Sequence, residues 1–242
     1  MNAEHTLRLH RNILMGVVLL IISMLAGCGQ LVVAGRSAQE AFHDEGVVNL
    51  LKAAKRNDAE EAKRLIEGGV NVNAVGKDGA TPLIWMFGLQ DLRAMRLLLD
   101  LGANPNQYVV GGVSPPVKLA AGGGKLEALR LLLDHGADPN VVYGNRTPLM
   151  MAIQGSHIDC AELLLQYGAD INLSHGPLSA LTEAVVHVQF GDALWVLNHG
   201  YTHDLPMARR MLNMKTPRPG QEELKVKALE IVDRLLAQQE RR

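Results

Sequence analysis

Aromatic residues make up only 4% of this 242-residue chain, and cysteine occurs just twice. A core of 48% hydrophobic composition with so few rings must be built from Leu, Val, Ile, Ala and Met. Small and unbranched side chains dominate that palette and lose little rotamer freedom in helices, so the composition points to helical structure. Two cysteines exclude a disulfide framework, leaving packing to hold the fold. Charge of either sign is also missing in excess: 24 basic and 25 acidic residues leave a net −1, which argues against a nucleic-acid partner. The longest apolar run, residues 13–25, is too short to cross a bilayer. As a helix it would span about 20 Å against roughly 30 Å of hydrocarbon.

That run follows a basic opening containing Arg8 and Arg11, the pattern of a secretory signal. It ends in Leu25-Ala26-Gly27-Cys28, which resembles the bacterial lipobox. The resemblance implies cleavage after Gly27, acylation of the Cys28 thiol and a lipid anchor of palmitate type. Gly29 stands where an Asp would resemble an inner-membrane retention signal, so the outer membrane is implied, with the folded part on its periplasmic face. Residues 1–27 are thus read as a signal peptide and 28–43 as a tether.

What the chain has in abundance is repetition. Gly69-Val70-Asn71-Val72-Asn73, Gly102-Ala103-Asn104-Pro105-Asn106, Gly136-Ala137-Asp138-Pro139-Asn140 and Gly168-Ala169-Asp170-Ile171-Asn172 recur at intervals of 33, 34 and 32 residues. Leu97-Leu98-Leu99, Leu131-Leu132-Leu133 and Leu163-Leu164-Leu165 each precede a glycine of this series. About ten residues after a glycine comes Thr81-Pro82-Leu83, Pro115-Pro116-Val117 or Thr147-Pro148-Leu149, with Ser179-Ala180-Leu181 as a weak fourth. Thr caps a helix N-terminus, and Pro in the first turn lacks an amide that would go unbonded. The glycine closes the second helix in a left-handed conformation, and the Asn or Asp two residues on turns the chain.

Taken together these motifs resemble ankyrin repeats. The resemblance implies an all-α ankyrin-repeat solenoid of about five to six helix–turn–helix units. Repeats are expected over residues 44–205, with a degenerate repeat and helical cap over 206–242. The family's His after T-P-L is replaced here by Ile84, Lys118 and Met150.

No catalytic constellation is present, and no metal or cofactor is expected. Gly122-Gly123-Gly124-Lys125 lacks phosphate-loop spacing, His199 and His203 straddle a turn, and Cys160 aligns with Ala94 and Ala128. A protein partner is expected instead, on a chain that is monomeric when unbound. Turn tips are normally polar, yet two carry Tyr108-Val109-Val110 and Val141-Val142-Tyr143. These form one candidate patch; the alternative is that the valines pair as short strands. In the ankyrin fold the position after the family's His faces a groove, which adds Trp85 and Met151, with Asn145, Arg146 and Gln154 as a rim. Trp85 as plain core is the competing reading. A lipid-held periplasmic ankyrin module resembles the immunity lipoproteins that accompany type VI secretion lipase toxins. That implies neutralisation of a phospholipase; a periplasmic scaffold or envelope stress-protection protein is the alternative.

Overall fold

The computed structural model describes residues 31–109 and 112–241. The signal peptide, Cys28 and Val110 therefore lie outside the described residues. The chain divides into two compact units, Met1–Pro116 and Val117–Arg242.

In the first unit, strands β1 (Val32–Val33) and β2 (Arg36–Ser37) form a short antiparallel hairpin, followed by α1 (Ala38–Phe42). Two helix pairs follow: α2 (Glu45–Arg56) with α3 (Ala59–Glu67), then α4 (Pro82–Gly88) with α5 (Leu92–Asp100). From Val117 on, the second unit holds the rest of α6 (Pro116–Gly122) with α7 (Leu126–Asp134), then α8 (Pro148–Gln154) with α9 (Ile158–Gln166), and α10 (Ala180–Val186) with α11 (Phe190–Asn198). It ends in α12 (Leu205–Met214) and α13 (Glu222–Gln239). The architecture is all-α, as the composition and period require.

The sequence signals act where their chemistry places them. Thr81 and Thr147 accept from the amides of Ile84 and Met150, each at 3.2 Å, and a proline begins the helix that follows. Ser179 does the same for Thr182 and closes a reciprocal capping box, because Ser179 N–H donates to Thr182 Oγ1 at 2.8 Å. The weak fourth motif is thus a working helix start. Gly102 and Gly136 adopt φ of +93° and +81° just past α5 and α7, the left-handed closure that a side chain would strain. At the end of α7, the imidazole of His135 lies 2.8 Å from the Leu131 carbonyl, in the last turn of the helix.

Burial follows the helical period. On α5, Ala94, Met95, Leu98 and Leu99 are buried, while Arg93 and Arg96 face solvent. In α13 the buried centre is Ala228 and Val232, with Leu224, Ile231 and Leu235 half-buried beside them. Within residues 28–43, expected to be a tether, Leu31, Ala38, Ala41 and Phe42 are buried. A serine at position 37 and a glutamate at 40 form a capping box that starts α1. Five helical residues are too few to show a helical period, so the packing of this segment has no counterpart in the sequence pattern.

Candidate protein-binding surface

Each of these turns after a left-handed glycine uses two side chains, one that closes the turn and one that reaches the next repeat. The Asn or Asp two residues after the glycine accepts from the amide two further on: Asn71 from Asn73, Asp138 from Asn140 and Asp170 from Asn172, at 2.8–2.9 Å. The Asn at that second position then reaches into the next repeat. Asn140 Nδ2 donates to the Gly168 carbonyl at 2.9 Å, and its Oδ1 accepts from Asp170 N–H at 2.8 Å. Asn73 makes the equivalent pair with Gly102 and Asn104, and Asn172 with Gly200 and Thr202. A primary amide carries donors and an acceptor on one short planar group, so a single Asn makes both bonds. The turns are therefore held in register with one another within each unit.

Beyond these turns the chain projects hairpin tips. Tyr143 and Arg146 form an antiparallel bridge around Gly144 and Asn145, whose φ values are +58° and +64°. Two successive positive φ values define the turn that matches strand twist, and Gly and Asn tolerate it best. Lys118, on α6, donates from Nζ to the Tyr143 carbonyl and lies 5.3 Å from the centre of the Tyr143 ring. It occupies the position of the family's His and makes a bond to the following tip. On the other side of the hairpin, Arg146 Nε donates to Glu183 Oε1 at 2.7 Å. Glu183 is only 2% exposed, on α10, and His187 one turn later has Nδ1 at 3.8 Å from its other carboxylate oxygen. The tip is thus clamped by a cation from the preceding repeat and an anion from the following one. Burial, the dominant influence, together with the nearby Arg146 charge, lowers the Lys118 pKa from 10.5 to about 8, while Glu183 opposes the shift.

The expected contact residues divide between the two units. In the first, Tyr108 is half-buried and Val109 is 37% exposed, its Cβ close against Gly79 in the neighbouring turn. Trp85 is only 4% exposed and packs edge-to-face on Phe42, with ring centres 5.6 Å apart. Its ring therefore offers no open surface and belongs to the core of this unit. In the second, Val141, Tyr143, Arg146, Met151 and Gln154 are half-buried, and Asn145 is exposed. Val142 is 38% exposed; the bridge in this tip joins Tyr143 to Arg146 and leaves Val141 and Val142 unpaired as strands. Met151 packs over Gly122, where an added Cβ would lie 3.1 Å from its terminal methyl. The ankyrin resemblance places Glu183 at a groove-facing position, but neither it nor Lys118 or His187 was expected among the contact residues. The available signal was a Lys and a Glu at positions where neighbouring repeats carry apolar residues.

Among the described residues no three His, Cys, Asp or Glu side chains gather as a metal site, and no helix is long and apolar enough to cross a membrane. Cys160 is fully buried, and burial and then the adjacent Asp159 push its thiol up to about 12.

Residues 111–175 match the family described as ankyrin repeats, in three copies. The fold is that of ankyrin repeats. An ankyrin repeat-containing protein of Treponema pallidum (strain Nichols) is 33% identical over 76 residues, 31% of this chain and 26% of that protein. The Caenorhabditis elegans homolog of ankyrin repeat and LEM domain-containing protein 1 is 38% identical over 56 residues, 23% of this chain and 8% of its own length. The chain thus spans about a quarter or less of the curated relatives it matches. Ankyrin repeats are protein-interaction modules, and the fold as a class is non-catalytic.

Proposed function

We propose that this protein is a lipid-anchored periplasmic binding module that neutralises a type VI secretion phospholipase toxin. The observation that carries the binding role is the second unit's surface: a charge-clamped tip at residues 143–146 beside an apolar first-helix face. Leu119, Met151 and Gln154 on that face are half-buried, and Val186 is 44% exposed. A rigid aromatic and an arginine next to apolar side chains are the residue types that dominate interface energetics. Because the clamped tip is already ordered, little conformational entropy is lost when a partner docks.

The membrane role is supported by the Leu25-Ala26-Gly27-Cys28 sequence after a short apolar run. Acylation of Cys28 would confine the binding surface to the leaflet where a phospholipase meets its substrate. That raises effective concentration without adding any contact. Inhibition then consists of covering the mouth of the lipase site.

The test is affinity capture from envelope extracts of the producing strain, using the acylated protein as bait. A phospholipase should be recovered, and adding the purified module should stop its hydrolysis of phospholipid vesicles at equimolar ratio. Recovery of a partner with no lipase activity would replace inhibition with scaffolding. A lipase that binds yet keeps its full activity would end the immunity reading.

A further inference from the structure

The first unit carries a surface of the same construction, but something already lies on it. Trp85 and Gly88 are three residues apart and share one face of α4. The corresponding positions in α8 are Met151 and Gln154, both partly exposed. In α4 this face is covered by residues 31–42. Phe42 packs on Trp85 at 5.6 Å between ring centres. Val33 lies so close to Gly88 that a Cβ there would meet Val33 Cγ1 at 2.7 Å. At the other end Arg36 is ion-paired to Asp78, and Gly76 admits Ala41 and Phe42, an added Cβ falling 2.7 Å from the Ala41 carbonyl. The segment runs along the helix face where a partner's chain would lie.

We infer that residues 31–42 are an intramolecular strap: a built-in occupant of the α4 face that a partner's apolar, aromatic-bearing segment displaces. Two features mark the strap as an imperfect occupant. The indole Nε1 of Trp85 is buried beneath it with no hydrogen-bond partner, a deficit that a partner's carbonyl would remove. The turn of the strap places Ala34 at φ +54° beside Gly35 at +76°, where alanine is strained and Asn or Gly is favoured. The hairpin itself pairs only two residues on each side. Such a segment opens by a local route rather than with the whole unit. The inference extends the reading of first-helix faces as partner surfaces, but its test needs no lipase.

Hydrogen exchange on the mature chain carrying Cys28→Ser measures that opening directly. Amides of residues 36–43 should exchange at least tenfold faster than those of Ala94 and Leu98 in α5, without denaturant dependence. The double variant Val33→Cys with Gly88→Cys provides a lock, since a Cβ on residue 88 would fall 3.7 Å from Val33 Cβ, within disulfide reach. Oxidised with glutathione disulfide, it should slow strap exchange to the α5 rate, and reduction should restore it. A synthetic peptide of residues 31–43 serves as the binding probe. It should bind the Phe42→Ala variant, whose own strap has lost its anchor, and should not bind the oxidised double variant. Strap amides that exchange only with global unfolding would overturn the inference and make the segment a permanent cap. Equal peptide binding by the locked protein would also overturn it. If Phe42→Ala fails to fold, the exchange data on the unsubstituted chain decide alone.

Discussion

Replacing Asn140 with alanine removes both bonds that tie its turn to the next repeat while leaving the turn's own backbone intact. The side chain donates to Gly168 O at 2.9 Å and accepts from Asp170 N–H at 2.8 Å. A net contribution of about 0.5–1.5 kcal/mol for each bond gives a loss of about 1–3 kcal/mol. Both abandoned groups lie on exposed residues, so water can reach them and the lower half of that range is expected. The turn bond from Asn140 N–H to Asp138 Oδ1 is unaffected by the substitution. Urea unfolding, followed by helical circular dichroism, should therefore show a lower midpoint at unchanged slope. Asn140→Asp keeps the acceptor but loses the donor and turns a carboxylate oxygen toward the Gly168 carbonyl, so it should cost at least as much as losing one bond. Asn198→Ala on the exposed surface of α11 is the control and should stay within about 0.5 kcal/mol of the parent. Equal midpoints for Asn140→Ala and Asn198→Ala would refute the claim that this amide couples neighbouring repeats.

Glu183→Ala should destabilise by about 2–3 kcal/mol, measured in the same urea titration, because it strips the buried partner from a half-exposed Arg146. Lys118 titrates at about 8 when folded and near 10.5 otherwise, so the unfolded chain binds more protons between those values and stability rises with pH across that window. The difference between the parent and Lys118→Met should therefore change by up to about 2–3 kcal/mol across that window, solvent screening included. Comparison with the variant is needed because Cys160 acts in the opposite sense: its raised pKa contributes stability that is complete below pH 9 and lost as pH rises toward 12. With its thiol buried and held protonated, Cys160 should not react with an aromatic disulfide reagent at pH 8 until urea unfolds the chain. Tyr108→Ala with Tyr143→Ala should abolish capture of the partner while the thermal midpoint stays near that of the parent. Loss of the folded state would assign those rings a structural role instead.

The charge clamp and the strap are the features least legible in the sequence, and for different reasons. Lys118 and Glu183 read as departures from an apolar pattern, and a departure alone does not say which partner absorbs the charge. Only folding shows that the Tyr143 carbonyl and Arg146 do so, 25 and 37 residues away in the chain. For Trp85 the sequence leaves core and contact surface equally open. The answer depends on residues 31–42, a segment with no helical period of its own and the composition of a spacer.

Periodicity, helix starts, left-handed closures and the all-α class were determined locally, within a few residues of the atoms they satisfy. A threonine that caps, a proline in the first turn and a glycine past the last turn act on their own backbone neighbourhood, so their spacing is readable without coordinates. The bridging role of Asn73, Asn140 and Asn172, the ion pair that buries Glu183 and the covering of Trp85 are contacts between segments distant in sequence. Those were decided by tertiary packing, because burial and pairing depend on which surface arrives opposite a side chain.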